Sequence, residues 1–144
     1  CAAALPGGQA LLCGGEGRDG THCGDAWFWS EGRWHPLGES PWAPRSAAAL
    51  CCVPRVGGGS VLVLCGGRGG QGVLFDDVWV LEVPAGATAH EAPWAGWHCA
   101  CATAPWGPRA EHALAWAEDV GLLILAGGLS LEGVPLADVW TWTP

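Results

Sequence analysis

Val61-Leu62-Val63-Leu64-Cys65-Gly66-Gly67, followed by Asp77-Val78-Trp79, is the stretch that decides the fold of this 144-residue chain. A short aliphatic run rich in Val and Leu, stopped by paired glycines, has the length and flanks of a buried β-strand. The same design occurs twice more. Ala10-Leu11-Leu12-Cys13 leads into Gly14-Gly15 and then Asp25-Ala26-Trp27, and Leu122-Leu123-Ile124-Leu125-Ala126 leads into Gly127-Gly128 and then Asp138-Val139-Trp140. Gly14 and Asp25, Gly66 and Asp77, and Gly127 and Asp138 are each 11 residues apart. Three equal offsets mark an internal repeat, which governs every later reading.

A second element recurs between these cores. Pro41-Trp42-Ala43-Pro44-Arg45 and Pro105-Trp106-Gly107-Pro108-Arg109 differ only at their middle residue, and each precedes a small-residue apolar run. The chain opens on a run of the same kind, Ala2-Ala3-Ala4-Leu5, without its Pro-Arg, so an excerpt cut just inside a repeat is expected. The units are placed at about 1–44, 45–108 and 109–144. The second is longer because of an insertion around 84–93, whose Ala, Gly, Thr and Pro read as an exposed loop. Within it, strands are expected at 46–53, 60–65 and 78–83 and near Trp97. Gly and Pro interrupt every window long enough for a helix. The fold class is therefore all-β, with about three four-stranded antiparallel blades, the third incomplete because it stops at Trp142-Thr143-Pro144.

The ordered residues resemble the kelch-repeat β-propeller family. Its unit carries Pro-Arg before strand one, a Gly doublet ending strand two, an aromatic in strand three and a Trp in strand four. Here the matching framework is Gly14, Gly15, Asp25, Trp27 and Trp34 in the first unit. The second supplies Arg45, Gly66, Gly67, Asp77, Trp79 and Trp97, and the third Arg109, Gly127, Gly128, Asp138 and Trp140. The resemblance implies a rigid scaffold that binds proteins and is not catalytic. Such propellers close with about five to seven blades, so the missing ones are expected from a parent chain or from self-association. Structural roles are expected for the motif residues. The tryptophans should pack between blades, the aspartates should bind turn amides, and Arg45 and Arg109 should donate to neighbouring loops.

Composition narrows the partners. Net charge is −8 and the six basic residues, all Arg, are scattered, which gives no electrostatic footprint for nucleic acid or anionic membranes. No apolar run reaches the length of a membrane span. Cys13 and Cys65 end aliphatic runs where a small buried thiol fits, so they read as reduced and inert. The first residues lack a signal-peptide pattern, and an intracellular, cytoplasmic setting is favoured.

Binding is expected on the rim formed by the loops 16–24, 68–76 and 129–137 and the linkers 35–45 and 98–109. Arg18, Asp19, His22, Arg68, Gln71, Trp42 and Trp106 are the candidate partner contacts there. No metal, cofactor or catalytic residue is expected. Copper radical oxidases share the fold type but need tyrosine, which is absent. Glu16, Asp19 and His22 lie too close together to match the iron-using specifier-type kelch proteins. His98, Cys99 and Cys101, with Cys51 and Cys52, have non-standard spacing for zinc. A propeller segment of a larger enzyme and a carbohydrate-binding propeller stand as the alternatives.

Overall fold

The computed structural model describes residues 1–88 and 96–143. Eleven strands form three antiparallel sheets among them. The first blade is β1 (Ala2–Leu5), β2 (Gln9–Glu16), β3 (His22–Ser30) and β4 (Arg33–Glu39), paired in that order. The second is β5 (Ala49–Pro54), β6 (Ser60–Cys65), β7 (Val78–Val83) and β8 (His98–Cys101), again a simple meander. The third has three strands, β9 (Ala113–Ala117), β10 (Leu122–Ala126) and β11 (Val139–Trp142). The first strands lie beside one another, β1 against β5 and β5 against β9, so the blades fan outward from their leading strands. Among the described residues no helix is long and apolar enough to cross a membrane.

Strand β6 shows why the apolar run is unbroken. All six of its residues are buried. Leu62 and Leu64 join Leu11, Cys13 and Phe28 in the core between blades one and two. Val61, Val63 and Cys65, on the other face, join Leu123 and Leu125 in the core between blades two and three. A strand covered on both faces needs no polar alternation. Successive side chains point to opposite faces, so one strand serves two cores.

The expected rim segments 16–24, 35–45 and 98–109 are partly strand, in β2, β3, β4 and β8, and two features of the second unit also differ from the sequence expectation. Strand β5 begins at Ala49 rather than residue 46, because Ser46 forms an isolated bridge with Arg68 and Ala47 takes a left-handed φ of 52°. The insertion is not wholly exposed at its start. Ala87 is buried in the first inter-blade core, and its carbonyl accepts a hydrogen bond from Gln9 Nε2 at 3.0 Å. Residues 89–93 of that insertion lie outside the described residues.

Candidate functional site

The framework beneath the rim is built on Arg45 and Arg109. Each bridges two blades, using main chain on one and side chain on the next. The Arg45 N–H donates to Cys23 O at 3.0 Å, and its carbonyl accepts from Gly15 N–H at 2.9 Å, both in the first blade. Its guanidinium reaches into the second blade, donating to Gly66 O and to both oxygens of Asp77. Arg109 repeats the pattern one blade on. Its main chain meets Phe75 O and Gly67 N–H, while its side chain meets Gly127 O and both oxygens of Asp138. The Gly doublets make this approach possible. A Cβ on Gly66 would stand 2.7 Å from Arg109 O, and Gly66 itself sits at φ +62°.

The aspartates are not the turn-amide acceptors expected from sequence. Each carboxylate takes the indole N–H of the tryptophan two residues on, Trp27 to Asp25 at 2.7 Å and Trp79 to Asp77 at 2.8 Å, with Trp140 and Asp138 likewise. Asp138 is held well below the usual carboxylate range, first by the hydrogen bond from Arg109 and then by that from Trp140.

Trp42 does not stand on the rim. It is 3% exposed, wedged between Trp79 and Trp97 with ring centroids 6.0 and 4.6 Å away. Trp106 is half-buried against Trp140 at 6.5 Å. Trp42 therefore belongs to an inter-blade core, which corrects its assignment as a partner contact, while Trp106 packs only partly buried against the next core. The recurrence of this tryptophan in two nearly identical linker motifs was the available signal, since a framework position recurs with the fold.

Of the remaining candidates, Arg18, Asp19, Arg68 and Gln71 lie between strands, and His22 is the first residue of β3. Arg18, Asp19 and Gln71 are exposed, and His22 is half-buried with an unpartnered buried Nδ1. Asp19 accepts the Thr21 amide at 3.1 Å, which lowers its pKa and closes its own loop. Arg68 pairs across to Glu111 at 3.0 Å, both side chains being well exposed. Between the first two blades the rim opens into a cleft of about 570 Å³. Its walls include His22, Pro44, Val73 and Phe75. The Arg45 guanidinium lies 4.0 Å from the Phe75 ring centroid, so the framework also braces this wall. Sequence reasoning found His22 but missed Pro44, Val73 and Phe75, because only the side-by-side packing of two blades turns separate loops into one cleft.

Other chemistry-bearing residues fall in settings of low reactivity. All eight cysteines are free thiols. Cys65 Sγ lies 3.3 Å from His112 Nε2, but burial pushes the thiol up to about 12. Burial, reinforced by Arg109, brings the imidazole down to about 4. The pair is therefore a neutral thiol beside a neutral imidazole, the reverse of an activated thiolate. Cys101 Sγ donates to Thr103 O, and Cys99 is exposed. Among the described residues no group of three or more His, Cys, Asp or Glu is arranged to hold a metal.

Known proteins resemble the chain in part of its sequence and in its fold. No family profile matches the chain. An F-box/kelch-repeat protein of Arabidopsis thaliana is 38% identical over 83 residues, covering 52% of this chain and 16% of that protein. Among solved structures, YjhT aligns with a TM-score of 0.66 at 15% identity, covering 96% of this chain and 51% of that one. Over those 83 residues the chain is similar to a kelch-repeat protein, and its fold is that of a β-propeller segment. A fucose lectin from Kordia zhangzhouensis, solved with methyl-fucoside, aligns with a TM-score of 0.58 at 12% identity, over 99% of this chain and 92% of the lectin. At such identities both structures speak for the propeller fold alone. The chain spans less than a fifth of the length of its Arabidopsis relative.

Proposed function

We propose that this chain is a non-catalytic scaffold that binds a protein partner through the loop rim, centred on the cleft between its first two blades. The observation that carries this reading is the division of labour among the motif residues. Arginine, aspartate and glycine motif positions are consumed in stitching blades together, while Arg18, Val73 and Gln71 are left on loops that a rigid scaffold presents, with His22 beside them at the start of β3. The cleft has apolar walls with a histidine at its edge, the composition of a pocket for an apolar or aromatic anchor from a partner. The match to an F-box/kelch-repeat protein supports an interaction role of this kind.

The test compares the wild-type chain with an Arg18→Ala/His22→Ala/Val73→Ser variant as bait for cell-extract proteins. A specific protein retained by the first and lost by the second supports the reading. A glycan array, with fucosides among its ligands, is read in parallel. Selective sugar binding there, with no rim-dependent protein, overturns it in favour of carbohydrate recognition. Trp34 is the tryptophan that stands exposed among the described residues, at 43%, and it is where sugar stacking would register.

A further inference from the structure

We propose that the cleft between the first two blades takes a positively charged protein segment, one large apolar side chain flanked by lysine or arginine. This rests on the reading of the rim as a protein-binding surface and adds the chemistry of the partner. Both walls of the cleft belong to this chain, and Pro44, Val73 and Phe75 make them apolar. Val73 is 50% exposed, so part of that lining is left to water and would be covered by an apolar anchor.

The charge at the lip decides the flanks. Three carboxylates stand there, each tied to a wall residue. Glu16 is paired with His22 across β2 and β3, and directly opposed residues share one face of a sheet. Asp19 Oδ1 accepts the amide of Thr21, another wall residue, at 3.1 Å. A Cβ on Gly24 would lie 3.0 Å from Glu39 Oε2 and 3.2 Å from Pro44 Cγ, which puts the Glu39 carboxylate beside the Pro44 wall. All three acids are exposed, and none forms an ion pair among the described residues.

The neighbouring cations are committed elsewhere. Arg45 is spent on Asp77 and Arg68 on Glu111, which leaves the exposed Arg18 against three carboxylates. The lip is therefore net negative, as is the chain as a whole at −8. An acidic segment is repelled from such a lip. Lysine or arginine is drawn in, and at an exposed lip it pairs without first being stripped of water.

Selection from a random-peptide library displayed on phage tests this on the full 144-residue chain, with Val73→Asp as the counter-selection. That substitution adds a carboxylate to an exposed position, so peptides held by charge alone still bind it and are discarded. The retained sequences are expected to carry a large apolar residue between lysines or arginines. For such a peptide, the variant Glu16→Gln/Asp19→Asn/Glu39→Gln should bind at least about tenfold more weakly than wild type. Added salt should weaken the wild-type complex more than that of the variant. Asp19→Asn keeps an oxygen for the Thr21 amide, so circular dichroism should be unaltered. Val73-dependent peptides that are neutral or acidic overturn the proposal and leave the protein-binding cleft standing. So do peptides that bind the triple variant as tightly as wild type. Failure to recover any Val73-dependent peptide overturns the proposal and the reading beneath it together.

Discussion

Arg45 and Asp77, 32 residues apart in sequence, meet in a two-pronged ion pair, Nη1 to Oδ1 at 2.6 Å and Nη2 to Oδ2 at 2.8 Å. The arginine side chain is 2% exposed and the aspartate 18%. The pair fixes the linker that has just crossed from the first blade to the strand-three entry of the second. Breaking it from one side leaves a largely buried charge, so Arg45→Ala is expected to cost about 3 kcal/mol of unfolding free energy. Arg45→Lys should recover only part of that loss, because an ammonium cannot grip both oxygens in the same plane. Urea denaturation of the three proteins measures the difference.

Glycine is required at Gly66 for two separate reasons, its left-handed backbone and the approach of the Arg109 carbonyl. Gly66→Ala is expected to destabilise by about 2 kcal/mol through strain at that conformation. Gly70 offers the control, since a Cβ there meets nothing within 4 Å. Gly70→Ala should leave the thermal midpoint close to the wild-type value. Equal shifts for the two substitutions would remove the close-approach argument.

Acidification should weaken the fold in two stages. His112 is lowered from 6.5 to about 4 by burial, reinforced by Arg109, so the unfolded chain takes its proton first. Its contribution is complete above about pH 6.5 and is lost as pH falls toward 4. Asp138 is depressed below 3.8 by Arg109 and Trp140, and its contribution is lost below that pH. Urea midpoints against pH should therefore decline across both windows. His112→Gln should flatten the upper one and leave the lower, whereas Asp138→Asn should do the opposite.

Thiol reactivity should sort with burial. Cys13 and Cys65 are each raised to about 12 by burial, so almost no thiolate is present at neutral pH. Cys99 is exposed. Brief iodoacetamide treatment of the native chain, followed by peptide mass spectrometry, should label Cys99 first and Cys13 and Cys65 only after unfolding. Early labelling of Cys65 would contradict the packing of strand β6 between two cores.

Much of the fold was legible because the repeat is periodic in residues whose geometry is restrictive. Paired glycines at Gly66 and Gly127, with an aspartate 11 residues on, mark a strand end and a strand start in the second and third blades, whereas in the first blade Gly14 sits at a bulge inside β2 and Asp25 inside β3. The strands Ser60–Cys65 and Val78–Val83 lie where their aliphatic runs predict. The start of β5 was harder to read, because apolarity continues from Ala47 while the backbone at that residue turns left-handed. The rim was legible only as a set of loops. Trp42 read as a surface anchor by residue type, and it proved to be a wedge because a neighbouring blade covers it.

The sequence by itself determined the number of units, their strand order and the residues that punctuate them. These follow from local preferences, namely glycine at positive φ, aliphatic runs of strand length and proline before the linker arginines. Only the tertiary structure decided which aspartate each arginine grips, which tryptophans are covered, and which loops meet in a cleft. Those outcomes depend on contacts between residues far apart in the chain, and one motif position takes different burial according to whether a blade stands beside it. Trp97 and Trp34 show this most directly: with a neighbouring blade the exposure is 7%, and without one it is 43%.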